Sequence, residues 1–283
     1  MNFAPRYLGR GSWLARRDPR VLVIAVVCFV LAAIQVWDLR IMLILDLIAF
    51  AYYRTARIPF RQVRRQWMLA ILFVSLLVFA NGIIASGRIQ RLPEGVEPHI
   101  YGYIPLLGTP VSAESLTFAL VQFLRFLSLI AVGFPIAFAI APDVFGVTFA
   151  RLGVPYRFAY AIDLTWRFIP SLAEDFRSTI DAQRVRGMDF TGQSRNPVAR
   201  VRRQIPVLVP TIVNAIAGAE DTIDAMDLRG FGTGERTWFQ DLVLDRTDKL
   251  VLIGFGSLLV VATIGGLVTS SSVLWVPDAI LPR

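Results

Sequence analysis

Long apolar runs alternate with short basic or polar stretches along most of this 283-residue chain. An α-helix needs about 17–25 mostly apolar residues to cross the hydrocarbon core of a membrane. Four runs reach that length, and a fifth, Ile41–Tyr53, is shorter and contains Asp46. The pattern therefore predicts an all-α, polytopic integral membrane protein. Its predicted spans are Val21–Trp37, Ile41–Tyr53, Trp67–Ala85, Leu116–Ala141 and Leu250–Val268.

The stretch between the fourth and fifth spans has the periodicity of amphipathic helices instead. Over Tyr156–Asp175 apolar residues recur on one helical face, while Asp163 and Arg167 have the four-residue spacing of an ion pair. Pro170 is expected to end or kink this helix, because proline cannot donate a backbone hydrogen bond. The apolar stripe then continues through Ser171–Arg186.

A second long helix is predicted over Ile205–Arg229, after a polar and basic linker at Asp189–Gln204. Both long helices are more apolar than a solvated helix should be. Their apolar faces must therefore be buried against the membrane-embedded part, a partner or the interfacial layer of the membrane. On the second helix this face includes Val209, Ile212, Val213 and Ile216.

Composition supports a membrane protein, since 55% of the residues are hydrophobic and only 18% are charged, against about 25% in an average soluble domain. The net charge of +8 would suggest a nucleic-acid partner in a soluble protein. Here 24 of the 29 basic residues fall within three segments, 1–20, 54–65 and 142–249. The preference for basic residues on the cytoplasmic side of membranes accounts for that distribution. We therefore expect a lipid bilayer around the chain and no nucleic acid.

The same asymmetry predicts five spans, with the N-terminus inside and the C-terminus outside. Residues 1–141 would form the N-terminal transmembrane part, 142–249 a cytoplasmic domain of long helices, and 250–283 the last span and tail. Residues 86–114 would lie outside as a loop or a pair of short turns, because they are rich in proline and glycine.

Metal and disulfide chemistry find little support in the sequence. The lone histidine, His99, has no His or Cys partner at ligand spacing and is expected to be a solvated loop residue. Cys28 is the single cysteine and lies in the middle of a span, so it is expected to be a small core hydrophobe. No metal site and no cofactor are predicted.

One nine-residue frame occurs twice, as TIDAQRVRG from Thr179 and as TIDAMDLRG from Thr222, 43 residues later. Each copy falls at the end of a predicted long helix. Gly187 and Gly230 are the expected residues where a helix stops in the left-handed conformation. Arg186 and Arg229 then occupy the two helix ends.

Two explanations account for an arginine at a helix end. A cation there complements the helix dipole, which contributes about 0.3–1 kcal/mol at an exposed site. That effect needs neither the shared Thr-Ile-Asp-Ala nor arginine in place of lysine. A planar guanidinium fork docks a carboxylate or carbonyl cluster, and a matched pair of forks suits a partner with two equivalent subunits. The repetition favours docking.

The segments AQRVRGMDF and AMDLRGFG resemble the two Ala-Arg-Gly signatures of the transmembrane T component of energy-coupling factor (ECF) transporters. The resemblance covers roughly residues 110–270 well and the N-terminal spans in general character only. This chain departs from the pattern before each arginine, where Val185 and Leu228 stand in place of the family's frequent alanine.

The resemblance implies a coupling subunit in the plasma membrane of a prokaryote. In the family, the T component joins a pair of ABC ATPases to a small membrane S component that binds a vitamin or a transition-metal ion. Two crossing cytoplasmic helices each dock one ATPase, and the S component sits on their apolar faces, here Val209, Ile212, Val213 and Ile216. The implied ATPase-docking positions are Asp181, Ala182, Arg186 and Gly187 in one copy and Asp224, Ala225, Arg229 and Gly230 in the other.

The chain is not expected to be an enzyme, because it has a single lysine, Lys249, and no phosphate-binding loop. The glycine-rich GFGTG at 230–234 follows a helix and not a strand. Two alternatives stay open. A permease could bind solute itself at Asp46, Gln122 and Arg125, although these could equally pair across helices or lie at a span end. A lipid-phosphate enzyme would need paired acidic residues that the chain lacks.

Overall fold

A computed structural model describes residues 12–85, 100–103, 110–188, 197–234, 238 and 242–268. The chain forms two compact units. One comprises Pro142–Leu242, and the other comprises Arg6–Ala141 together with Val243–Arg283. We call the first the helical-pair unit and the second the bundle unit.

Helices account for most of the described residues, and the all-α fold class is confirmed. In chain order they are α1 (Pro19–Gln35), α2 (Leu39–Thr55), α3 (Phe60–Ala85), α4 (Ala113–Gly133), α5 (Ile136–Ala139), α6 (Phe145–Arg151), α7 (Tyr156–Val185), α8 (Pro197–Leu228) and α9 (Arg246–Val268). Short 3₁₀ turns lie at Leu14–Arg16 and Pro142–Val144. The five predicted apolar runs fall on α1, α2, α3, α4–α5 and α9.

Residues 86–114 are predicted to be a loop or a pair of short turns, but part of this segment forms two strands. Strand β1 (Ile100–Tyr103) pairs antiparallel with β2 (Pro110–Ser112), and Ile100 lies opposite Ser112. Isoleucine and tyrosine favour the extended backbone, which accounts for the strand in a stretch that was interpreted from its prolines and glycines. His99 lies outside the described residues.

Three of the described helices are long and apolar enough to cross a membrane, judged by length and composition. They cover Phe60–Asn81, Ser115–Ala139 and Arg246–Leu267. Pro19–Gln35 is apolar but shorter. Helix α2 has 17 residues, more than its apolar core suggested, and it keeps Asp46 buried. The five-span topology therefore stays a prediction.

Contacts within the bundle unit fix the relative directions of its helices. At one end, the Trp37 ring between α1 and α2 stacks on Phe118, near the start of α4, with centroids 5.4 Å apart. At the other end, Trp67 near the start of α3 contacts both Tyr53 near the end of α2 and Phe134 at the end of α4. Successive helices α1 to α4 therefore run in opposite directions, which is compatible with a crossing by each.

The starts of α1 and α9 lie side by side, so these two helices run in the same direction. The Arg17 guanidinium is 3.3 Å from an oxygen of Asp245 and 3.7 Å from an oxygen of buried Asp248. Asp245 directly precedes α9, and hydrogen bonds from the Thr247 hydroxyl and the Arg246 amide hold the pKa of its carboxyl below the ordinary value. Farther along, Phe29 of α1 meets Phe255 of α9 edge to face.

In the helical-pair unit, α6 packs closely on α7 through a glycine. A Cβ added at Gly146 would lie 2.6 Å from the Cβ of Asp163 and 2.9 Å from the carbonyl oxygen of Ala159. No side chain fits there without moving one helix. The predicted Asp163–Arg167 ion pair is confirmed, with a nitrogen–oxygen distance of 3.2 Å.

Two predicted boundaries change. Of the two expectations for Pro170, an end or a kink, the end is excluded, because α7 continues through it from Tyr156 to Val185. The polar stretch Asp189–Gln204 is not wholly a linker, since α8 begins at Pro197, a residue that suits the first turn of a helix. Residues 189–196 lie outside the described part. Basic side chains remain good helix formers when the apolar stripe is absent, and that explains the early start.

Candidate functional site

The first copy of the repeated frame ends α7 in a Schellman motif. The amide of Gly187 donates to the carbonyl of Arg184 at 2.9 Å, and the amide of Met188 donates to the carbonyl of Gln183 at 3.0 Å. These bonds satisfy carbonyls that the end of a helix leaves without partners. Arg186 is the C-cap residue of the helix.

The second copy ends α8 with the same pair of bonds. The Gly230 amide donates to the Asp227 carbonyl at 2.9 Å, and the Phe231 amide donates to the Met226 carbonyl at 2.9 Å. Arg229 directly follows the last helical residue, as Arg186 does in the first copy. The two arginines therefore leave equivalent backbone positions.

Glycine is required at both stops. Gly187 has φ +86° and Gly230 has φ +64°, in the left-handed region where a side chain strains the backbone. Because backbone amides already satisfy the last carbonyls, neither arginine side chain is needed to terminate its helix.

The two arginine side chains are exposed, and within the described residues neither has an ion-pair or side-chain hydrogen-bond partner. The residue before each is apolar and almost fully exposed: Val185 and Leu228 are each 90% accessible. A cationic fork beside an exposed aliphatic side chain is a combination that a docking surface uses and a solvated helix end does not need.

The shared Thr-Ile-Asp-Ala residues differ in what they do. The hydroxyls of Thr179 and Thr222 each donate to the carbonyl four residues earlier, at 2.8 Å in both copies. Asp181 pairs with Arg184 at 3.0 Å, whereas Asp224 has no ion pair within the described residues. Ala182 and Ala225 are exposed.

The first variable position of each copy reaches the other long helix. In the first copy, Gln183 Nε2 donates to the carbonyl of Pro206 in α8 at 3.1 Å. That carbonyl would normally accept from the amide of residue 210, which is a proline and has no N–H. A side chain from α7 thus supplies the hydrogen bond that α8 lacks.

In the second copy the equivalent residue, Met226, contacts the start of α7. Its sulfur accepts a hydrogen bond from the Tyr160 hydroxyl, with an oxygen–sulfur distance of 3.8 Å. Phe231, which follows the second copy of the frame, packs on Tyr160 with 4.6 Å between the ring centroids. Tyr156 extends this aromatic cluster, lying 6.0 Å from Tyr160 and 5.3 Å from Trp238.

These contacts make α7 and α8 an antiparallel pair. The end of α7 lies beside the early part of α8, and the end of α8 lies beside the start of α7. Between Tyr160 and Arg186, α7 rises roughly 40 Å if it is straight. The two arginines are therefore presented at opposite ends of the pair.

An apolar groove of about 600 Å³ lies between the middles of the two helices. Its walls are Ile169, Leu172, Ala173 and Phe176 of α7 and Thr211, Ile212, Ala215, Ile216 and Ala219 of α8. Of the four apolar residues singled out on α8, Ile212 and Ile216 line the groove, while Val209 and Val213 lie outside it. All four are 50–58% exposed.

Of the three residues of the permease alternative, two pair with each other, and the third has no hydrogen bond to them. Arg125 of α4 donates to the Gln122 side chain at 3.1 Å and to the carbonyl of Val36, the C-cap of α1, and lies over the Trp37 ring. That is a structural role at a helix end. Asp46 is buried on α2, and neither of its oxygens has a hydrogen-bond partner within the described residues.

Sequence reasoning missed Gln183, Met226, Tyr160 and the three groove alanines. The signal for Gln183 was available, because a proline inside a helix leaves the carbonyl four residues earlier without its donor. Nothing in one sequence paired that carbonyl with a residue 23 positions away. The described residues contain no group of three or more His, Cys, Asp or Glu that could hold a metal ion.

Comparison with known proteins shows the family of the chain. The CbiQ family, described as cobalt transport protein, matches residues 10–238. Energy-coupling factor transporter transmembrane proteins (EcfT) are similar: that of Bacillus subtilis (strain 168) is 27% identical over 92% of this chain and 95% of its own length. The EcfT of Leuconostoc gelidum subsp. gasicomitatum is 26% identical, over 88% and 92% respectively.

The EcfT of Limosilactobacillus fermentum is 31% identical over a shorter region, which covers 54% of this chain and 60% of that relative. The family match spans most of the chain, including the complete first copy of the frame and the second. The chain therefore belongs to the CbiQ family and is a transmembrane T component of the energy-coupling factor type.

Proposed function

We propose that this chain is the coupling subunit of an ECF-type ABC importer, which passes ATP-driven movement of an ATPase pair to a substrate-binding membrane S component. The substrate would be a vitamin or a transition-metal ion, bound by the S component. The observation that carries the proposal is the pair of matching helix ends, each with an exposed arginine that has no side-chain partner in the described part of the chain.

Each arginine docks one ATPase subunit in this proposal. Arg186 and Arg229 follow the same backbone geometry, so two equivalent ATPase surfaces meet equivalent groups. Val185 and Leu228 add apolar contact beside each fork. Glycine at 187 and 230 adds no side chain of its own directly after each arginine.

The S component occupies the apolar groove between α7 and α8. The groove has almost no polar lining, and its alanines allow a helix backbone to approach closely, as small residues do in membrane helix packing. When the ATPases close, movement of α7 against α8 changes the shape of the groove, and with it the surface that the S component occupies.

Co-purification tests the proposal as a whole. Tagged chain expressed with the ATPases and S components of its own organism should bring down two ATPase subunits and one small hydrophobic protein. The purified chain alone should neither hydrolyse ATP nor retain a vitamin or metal ion. Turnover by the isolated chain that survives removal of contaminating ATPases would contradict the proposal.

We further propose that residues 1–20, 54–66 and 142–249 face the cytoplasm and 86–114 the outside, because of the distribution of basic residues. Single cysteines introduced by Gly95→Cys and Gln193→Cys, in a Cys28→Ala background, should be labelled by impermeant reagents from opposite sides. Labelling of both from one side would mean that one predicted span does not cross.

A further inference from the structure

A second cavity lies in the bundle unit, at the end where α2 stops and α3 starts, and its volume is about 830 Å³. One part of its wall is cationic and the rest is apolar or aromatic. The cationic residues are Arg54, Arg57 and Arg64; the others include Phe50, Tyr53, Phe60, Trp67, Met68 and Ile71. The roles proposed above for the chain use none of these residues.

The arginines of both helices lie at the same end of the bundle. Along α2, Phe50 and Tyr53 precede Arg54, and Arg57 follows after one more turn. Along α3, Phe60 comes first and Arg64 one turn later, and Met68 and Ile71 follow at helical spacing, about 10 Å farther along the axis from Arg64 to Ile71. The three arginines therefore lie at the end of the bundle, beside Phe60, and the wall toward the middle of the bundle is apolar.

None of these three guanidinium groups has a counter-charge among the described residues, either as an ion-pair partner or as a side-chain hydrogen-bond partner. The first turn of α3 contains no acidic residue, although the positive end of a helix dipole favours one. Cations at that end add to the positive potential, so the cavity is suited to an anion.

The backbone at Arg57 departs from ordinary geometry. Its φ is +49°, and within the described residues no other non-glycine residue has a positive φ. Arginine gains nothing from this conformation, which glycine adopts at lower cost. The turn nevertheless brings a third guanidinium to the wall of the cavity.

Aromatic contacts hold the Trp67 part of the cavity wall in place. The Trp67 indole N–H donates to the Tyr53 hydroxyl at 3.0 Å, which joins α2 to α3. The Trp67 ring also contacts Phe134 at 5.9 Å. Tryptophan and tyrosine concentrate at the boundary between hydrocarbon and headgroups, so this wall lies at the depth of a lipid phosphate.

We propose that this cavity binds one anionic phospholipid, whose phosphate contacts Arg54, Arg57 and Arg64 and whose acyl chains lie along Met68 and Ile71. The preference of basic residues for the cytoplasmic side explains why arginines occur here. It does not require three of them to line one cavity with an apolar continuation, which is the shape of a phospholipid and not of free phosphate.

Lipid binding by the purified, delipidated full chain tests the proposal. Native mass spectrometry should show one tightly retained phosphatidylglycerol and weaker retention of phosphatidylcholine. The Arg54→Gln/Arg64→Gln variant should bind phosphatidylglycerol about 30-fold more weakly, which is the effect of losing two cationic contacts at a membrane surface. Inorganic phosphate and soluble glycerophosphoglycerol should compete poorly, because they lack acyl chains.

The matched control is Arg61→Gln/Arg65→Gln, which removes the same number of positive charges next to Arg64 on α3, at residues that do not line the cavity. It should keep most of the retention. Arg57→Gly gives a second test, since glycine accepts the backbone conformation there. It should weaken lipid retention without lowering the melting temperature.

Equal loss in the cavity and control variants would overturn the proposal in favour of diffuse surface charge. Saturable binding of phosphate alone would make the site an anion site and not a lipid site. If the cavity variant kept its phosphatidylglycerol but lost an acidic protein from membrane extracts, the occupant would be a protein. The ATPase and S-component roles are unaffected by any of these results.

Discussion

Replacing Arg186 and Arg229 together by alanine is expected to release both ATPase subunits from the purified complex. Each guanidinium would dock in a largely desolvated contact, where removal of one partner of a charged hydrogen bond costs about 2–5 kcal/mol. That corresponds to about 30-fold to several thousand-fold in affinity for each end. An affinity pull-down that quantifies the ATPases against the tagged chain measures the loss.

Single substitutions and lysine separate docking from helix termination. Arg186→Ala or Arg229→Ala alone should weaken the complex and reduce transport, while the S component still binds substrate. Lysine keeps the charge but not the planar fork, so it should fall between arginine and alanine. If the arginines only complement the helix dipole, lysine should serve as well as arginine. Alanine should then lower the free energy of unfolding by less than about 1 kcal/mol and leave docking intact.

Arg184→Ala is the matched control. It removes a guanidinium two residues from Arg186, and the second copy has Asp227 at the equivalent position, so docking of two equivalent subunits cannot depend on it. ATPase retention should stay close to that of the unaltered chain. Full retention by the double alanine variant would instead leave the repeated frame as a device that ends helices.

Filling the groove between α7 and α8 is expected to release the S component and leave the ATPases bound. Ala215→Trp places a large ring where Ala219 and Ala173 keep the groove open. Overpacking of a fitted contact costs about 1–3 kcal/mol, or about 5- to 150-fold in affinity. Quantitative co-purification of both partners from one preparation measures the two interactions together.

Ala217→Trp is the control for this substitution. Ala217 is exposed on the same helix, two residues away, and does not line the groove. It should leave S-component binding unchanged. If both tryptophan variants lost the S component equally, the groove would not be its seat, and if Ala215→Trp also lost the ATPases, the variant would have disturbed the helical pair itself.

The helix ends were predictable because they depend on local chemistry. Glycine after arginine indicates a left-handed stop, and Gly187 and Gly230 have it. The ion pair of Asp163 with Arg167 was equally predictable, since helical spacing alone brings the two side chains together.

Properties that depend on neighbours were not predictable. Pro170 was expected to end or kink α7, and the helix runs through it from Tyr156 to Val185. The predicted linker extends to Gln204, although α8 begins at Pro197. A polar stretch can fold as a helix without the apolar stripe that would indicate it. Gln183 and Met226 looked like variable positions of the frame, yet they make the contacts between the long helices.

The hydrogen bond from Gln183 to the Pro206 carbonyl has a mechanical consequence. Pro206 and Pro210 remove two backbone bonds within a single stretch of α8, so the bending stiffness of this helix is lowest there. Gln183 lies one turn before the C-cap of α7 and bridges to that compliant stretch. A load applied at Arg186 therefore strains α8 first at its prolines, while the rest of the helix keeps its shape.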